Sequence, residues 1–113
     1  MTTFPTRITE SGAAVISPTG RITMVTAPQL RADLYALVDG GNTRVVVDFG
    51  AVEFIDSSGL SALISGLKHA RLAGGDLRIS APNHQVTKIL EATTLSRVVG
   101  IHETPEAAFP DHV

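Results

Sequence analysis

The sequence contains no cysteine. Disulfides, thiol nucleophiles and zinc–thiolate centres are thereby excluded, which fits a reducing compartment. Tryptophan is absent too, and Tyr35 is the single tyrosine. Little aromatic surface is left on which nucleic-acid bases would stack. Nine Lys and Arg are scattered among eleven Asp and Glu, a net charge of −2, so no basic stripe argues for nucleic acid. The apolar runs fall far short of the ~20 residues that span a bilayer. The opening residues Met1-Thr2-Thr3-Phe4-Pro5 lack the basic-then-apolar profile of a signal peptide. The expectation is a cytoplasmic globular protein without nucleic-acid or membrane partners.

Enzyme signatures are also missing. The chain has no Gly-x-Gly-x-x-Gly, no phosphate-binding Gly-x-x-x-x-Gly-Lys-Ser/Thr, no His-Glu-x-x-His and no Gly-x-Ser-x-Gly. Ser65-Gly66-Leu67-Lys68 matches the Ser-x-x-Lys of acyl-enzymes, but Ser-Asp-Asn and Lys-Thr-Gly are absent and the tetrapeptide lies within a helical pattern. His69, His84, His102 and His112 are dispersed, with no i, i+4 pair, and read as surface residues. No catalytic residue, metal site or cofactor is predicted.

The 113 residues suffice for one domain, which at this size buries roughly two-thirds of the surface its unfolded chain exposes. No repeat or long Pro/Gly/Ser linker divides it. The prediction is a single domain over 1–113, with a core over about 7–108 and a flexible tail at 109–113.

Short β-branched runs predict strands at Ala13–Ser17, Arg44–Phe49, Leu77–Ser80 and Val98–Ile101. Arg7–Glu10 adds an edge strand through the turn at Ser11-Gly12. Val45-Val46-Val47 is continuous rather than alternating, as in a strand covered on both faces. Between these runs lie helical patterns. One covers Ala27–Val38, with Thr26 as N-cap and Leu30, Leu34, Leu37 and Val38 on one face, ending at Gly40-Gly41. A second covers Ser58–Ala73, with Leu60, Leu63, Ile64 and Leu67 inward and Gly74-Gly75 as left-handed terminator. A third follows Pro82-Asn83, and a short one spans Pro105–Ala108. The alternation predicts an α/β fold, a mainly parallel four- to five-stranded sheet with about four helices.

One segment stands apart: Val52-Glu53-Phe54-Ile55-Asp56-Ser57-Ser58-Gly59-Leu60, leading from a strand into the second helix. Asp56, Ser57 and Ser58 are all good N-caps, yet a helix start needs one. On chemistry alone, all three read equally well as cap and turn residues. The other reading is functional. A serine on a first helical turn at a strand-exit edge is exposed and rigidly held, and a phosphate there meets free N–H groups and the positive end of the helix dipole. Gly59 then removes a side chain that would obstruct an approaching partner.

The stretch VVVDFGAVEFIDSSGLSALISGLKHARLAGGDLRISAPNHQVTKILEATTLSRVV resembles a STAS domain, in particular the freestanding anti-sigma factor antagonists. The shared pattern is a hydrophobic strand ending in Asp, a spacer, Phe-Ile/Met-Asp-Ser-Ser/Thr-Gly-Leu, a helix, a Gly-Gly break and another strand. The resemblance extends from about Arg7 to Ala108. It implies a bacterial regulator of transcription and stress response, monomeric when free, whose unphosphorylated form binds a serine-kinase anti-sigma factor and releases the sigma factor. Ser57 is the implied phosphorylation site; its phosphorylation abolishes binding, and a phosphatase resets it. Asp56 orients the acceptor and Ser58 caps the helix. Asp56, Ser58, Gly59, Gly20, Arg21, Thr23 and Thr26 are the implied partner-binding residues. Gly20, Arg21, Thr26 and Ala27 fit the family loop before the first helix, whereas Thr23 stands where an aspartate is usual. The alternative within the family is a STAS subunit of a larger lipid-transport or stress-sensing assembly.

Overall fold

The computed structural model describes residues 4–110. Its centre is β4 (Arg44–Asp48), flanked on one side by β2 (Ala14–Ile16) and on the other by β6 (Asp76–Ser80). The strands β1 (Thr6–Ile8) and β7 (Gly100–His102) form the edges, giving the order β1-β2-β4-β6-β7. All pairings are parallel except β1 with β2, which returns through the turn at Gly12 (φ +88°). The sheet is therefore mixed, and the α/β reading holds.

Val45, Val46 and Val47 are fully buried, and their alternation divides the core. Val45 and Val47 face a large cluster with Leu30 and Leu34 of α1 (Ala27–Asp39) and Leu63 and Leu67 of α2 (Ser57–Leu72). Val46 faces the other way, with Ala13 and Val15, onto Ala108 and Phe109 beside α5 (Pro105–Ala108). A strand roofed on both faces has no polar side to write into its sequence. The predicted terminators hold as well: Gly41 (φ +100°) and Gly74 (φ +87°) take the left-handed conformation after α1 and α2.

Several expectations need correction. Phe109, placed in a flexible tail, is buried, and its ring lies 4.0 Å from the Arg78 guanidinium and 5.6 Å from that of Arg44. Its carbonyl accepts the Ser11 hydroxyl. The rest of the predicted tail, 111–113, lies outside the described residues. Val98 belongs to a helical turn, α4 (Leu95–Val98), and is half exposed; Val99 behind it enters the core. The last strand accordingly begins at Gly100, and with α3 (His84–Glu91) the helices number five among the described residues. Ile64, placed on the inner stripe of α2, is exposed, whereas Ala62, Gly66 and Ala70 are buried.

Two strands were not expected. β3 (Gly20–Ile22) and β5 (Val52–Ile55) form a separate parallel pair, with Arg21 opposite Phe54 and Ile22 opposite Ile55. The inward members, Ile22 and Ile55, join the main core. Among the described residues, no helix is long and apolar enough to cross a membrane.

Candidate functional site

Asp56 follows β5 in an extended conformation (φ −104°, ψ −173°), and its N–H donates to the Ile22 carbonyl at 3.0 Å. This bond ties the start of α2 to β3. From there Asp56 Oδ1 accepts the N–H groups of Ser58 (2.9 Å) and Gly59 (3.0 Å). The Asp56 carbonyl accepts Leu60 N–H at 3.0 Å. Asp56 is therefore the N-cap, and the expected capping role of Ser58 is not observed. One carboxylate oxygen satisfies two of the otherwise orphan donors of the first turn, those of Ser58 and Gly59.

This assignment frees both serines. Ser57 is the first residue of α2 and is exposed; Ser58 is half-buried. Neither hydroxyl has a hydrogen bond to the described residues. It also engages two of the N–H groups expected to meet a phosphate, those of Ser58 and Gly59, and leaves that of Ser57 itself.

Gly59 has a different role from the expected one. It is buried, and a Cβ built there would lie 2.5 Å from Ile55 Cγ1, 2.8 Å from Ile22 Cγ2 and 3.0 Å from the Ile22 carbonyl oxygen. The missing side chain lets α2 press onto the β3–β5 pair; it does not clear a partner's path. Two turns further along the same face, a Cβ at Gly66 would lie 2.6 Å from Leu34 Cδ1. Two glycines seven residues apart thus seat α2 against strands and α1 together.

The β3–β5 pairing brings the loop residues to the same edge. Gly20 (φ +75°) donates its N–H to the Ala51 carbonyl at 2.9 Å, in a backbone conformation that suits glycine. Arg21 is exposed, its guanidinium 4.7 Å from the centroid of the Phe54 ring. Thr23 accepts Val25 N–H on Oγ1 at 3.3 Å, a turn bond that an aspartate also makes, but without the charge. Thr26 stands at the N-cap position of α1 with helical dihedrals and makes no side-chain cap bond to the helix. Its hydroxyl instead accepts Thr23 N–H (2.9 Å) and donates to the Arg21 carbonyl (2.9 Å). The two threonines brace the loop internally.

Two contributors escaped the sequence analysis. Phe54 serves as the platform for Arg21. Asn83 caps α3 by accepting Val86 N–H (2.7 Å) while its amide donates to the Val52 carbonyl (3.2 Å), tying α3 to β5. The Pro82-Asn83 pair announces the cap but not the second bond.

Comparison with known proteins agrees with this architecture. The family model for the STAS domain matches residues 5–108. The candidate anti-sigma factor antagonist BtrV of Bordetella bronchiseptica is 32% identical over 89 residues, covering 79% of this chain and 77% of BtrV. An anti-sigma factor antagonist from Mycobacterium paratuberculosis superposes with a TM-score of 0.83 at 27% identity, over 96% of this chain and 91% of that one. The phosphorylated form of the Bacillus cell fate determinant SpoIIAA shares the fold, with a TM-score of 0.72 at 20% identity over 95% and 96% of the two chains. Proteins of this kind are regulatory binding proteins rather than enzymes. The family model over nearly the whole chain, with these relatives, leads to one assignment: the chain belongs to the STAS domain family, in the company of its anti-sigma factor antagonists.

Proposed function

We propose that the chain is an anti-sigma factor antagonist gated by phosphorylation of Ser57: unphosphorylated, it binds a serine-kinase anti-sigma factor and frees the sigma factor; phosphorylated, it lets go. The observation that carries this reading is the division of labour between neighbours. Asp56 takes the N–H groups of Ser58 and Gly59, and Ser57 is left exposed with an unbonded hydroxyl on a rigid first turn. In this reading Asp56, Ser58 and the β3 edge with Arg21, Thr23 and Thr26 make up the docking surface, the edge joined to the start of α2 by the Asp56–Ile22 bond. Gly20 and Gly59 act from behind, through the backbone.

The same arrangement supplies a switching force. A phosphate on Ser57 adds a charge of about −1.5 to −2 next to the Asp56 carboxylate, with two of the first-turn donors already engaged. Each unit of that charge, about 6 Å from a like charge on a partner, costs roughly 0.7 kcal/mol at the dielectric of water and about 3 at an effective value of 20. Each 1.4 kcal/mol is about tenfold in affinity, so a hundredfold loss needs no change of fold.

The test is a pull-down from native lysate, with mass spectrometry of bound proteins and of the peptide containing Asp56–Gly59. An ATP-binding kinase is expected on the unmodified chain, and phosphate on Ser57. Ser57→Ala is expected to keep binding and take no phosphate, and Ser57→Asp to weaken binding. Stoichiometric phosphorylation of Ser57→Ala would refute the site. Co-purification with membrane-transport or large-complex subunits in place of a kinase would refute the role.

A further inference from the structure

The outer surface between α1 and α2 is not closed. A trough of about 550 Å³ runs between their N-terminal halves, and its origin is the size of the facing residues. Ala27, Pro28 and Ala32 line the α1 side, and Ser58, Ser61 and Ser65 the α2 side, above a floor at buried Ala62. Deeper in the fold, where Leu34 meets Gly66, the helices touch.

The walls differ in chemistry. Ser58, Ser61 and Ser65 recur at i, i+3 and i+7, so they occupy one face of α2 over about 10 Å of rise. None of the three hydroxyls is bonded to a described residue. The α1 wall is apolar, and Met24 extends it toward the loop. Met24 and the adjacent Val25 are 73% and 82% exposed. Arg31 is the one charged residue in the lining; its guanidinium lies 5.4 Å from the Tyr35 ring centroid and has no ion pair among the described residues.

We infer that this trough receives a segment of a protein partner bearing an apolar anchor and a carboxylate, the anchor lying against Met24, Ala27 and Ala32 and the carboxylate on Arg31. Charge complementarity selects the acid, because an unpaired guanidinium at the edge of an apolar cleft favours a carboxylate in forked geometry. The open length of the trough and its continuation onto exposed Met24 suit a chain segment better than an enclosed small molecule. The inference rests on the Ser57 reading and deepens it. Ser58 lines the trough and Ser57 adjoins it, so phosphate arrives at its mouth and repels the carboxylate that Arg31 attracts.

The experiment places a photo-crosslinking phenylalanine analogue at Ala32, at Ser65 or at Glu53 in the full chain in its native host, with adducts mapped by peptide mass spectrometry. Glu53 is an exposed residue of β5, four residues before Ser57 in the chain and outside the trough. Positions 32 and 65 are expected to capture a peptide with an apolar residue and an Asp or Glu within one helical turn. Arg31→Glu is expected to cut that yield about tenfold. No adduct at 32 and 65, an adduct with lipid, a captured peptide without an acid, or a yield indifferent to Arg31→Glu would each overturn the inference. The phosphorylation reading is scored separately with Ser57→Asp. If trough adducts persist undiminished in that variant, the trough stands and the gate falls. If only position 53 captures a partner and Ser57→Asp abolishes it, the gate stands and the trough falls.

Discussion

Asp56 Oδ1 lies 3.0 Å from the backbone nitrogen of Gly59, closing the first turn of α2 from the residue just outside it. The same oxygen holds Ser58 N–H at 2.9 Å, so one atom satisfies two otherwise orphan donors. Removing it with Asp56→Ala is expected to cost about 1 kcal/mol of stability, as for other N-caps. Asp56→Asn, which keeps an acceptor oxygen, is expected to recover most of that loss. Urea denaturation of the two variants measures it. Equal stability of Asp56→Ala and the parent chain would contradict the capping assignment.

Gly59 makes a larger and steeper prediction. An alanine Cβ there meets two isoleucine side chains and a carbonyl oxygen, all at 3.0 Å or less. Overpacking of that kind costs about 1–3 kcal/mol, so Gly59→Ala is expected to lower Tm by roughly 4–8 °C for each kcal/mol lost. A partner-clearance role would instead leave Tm untouched and weaken binding alone. Thermal melting of the unbound protein decides between the two.

The sequence shows how much of this was legible and where it stopped. Val45-Val46-Val47 revealed a doubly covered strand because burial on both faces leaves a continuous apolar run. Gly41 and Gly74 revealed helix ends because left-handed backbone is nearly a glycine property. The β3–β5 pair was illegible for the opposite reason. With three and four residues, half of them outward, these strands leave too short a pattern for periodicity to register. The cap was ambiguous because Asp56, Ser57 and Ser58 are chemically interchangeable there. Only the extended backbone at Asp56, set by its bond to Ile22, picks the carboxylate. Gly59 looked like open space because a sequence does not say on which side of a helix the space lies.

Phe109 tests the back of the sheet. It is buried at 5% exposure against Ala13, Val15, Val46 and Ala108. Phe109→Ala is expected to cost about 3 kcal/mol, with Phe109→Leu retaining much of the packing. A change within about 0.5 kcal/mol, typical of exposed positions, would show that the segment does not hold the sheet face. Equilibrium unfolding in denaturant reads the difference.

The ion pair at the β1 edge predicts a small acid dependence. Glu106 lies 2.8 Å from Arg7, both largely exposed. A hydrogen bond from its own backbone, and then the Arg7 guanidinium, hold its carboxyl below the ordinary value. A carboxyl lowered in the folded state contributes stability above its unfolded pKa and loses it as pH falls through the folded pKa. Glu106→Gln is therefore expected to lower Tm slightly at pH 7 and not at all at pH 2, the effect kept small by solvent screening. A deficit that grew in acid would have the wrong sign. Melting curves across that range test it.

The pairing of β3 with β5 apart from the main ladder has a consequence for how such a regulator diversifies. Ile22 and Ile55 anchor the pair from within, while Arg21 and Phe54, opposite each other in register, are turned away from the core. On the docking surface proposed above, substitutions at this outward pair change what a partner meets and leave the five-stranded ladder undisturbed. Recognition and folding are thus written in different residues here, so a surface of this kind is free to vary at a few positions without a new fold.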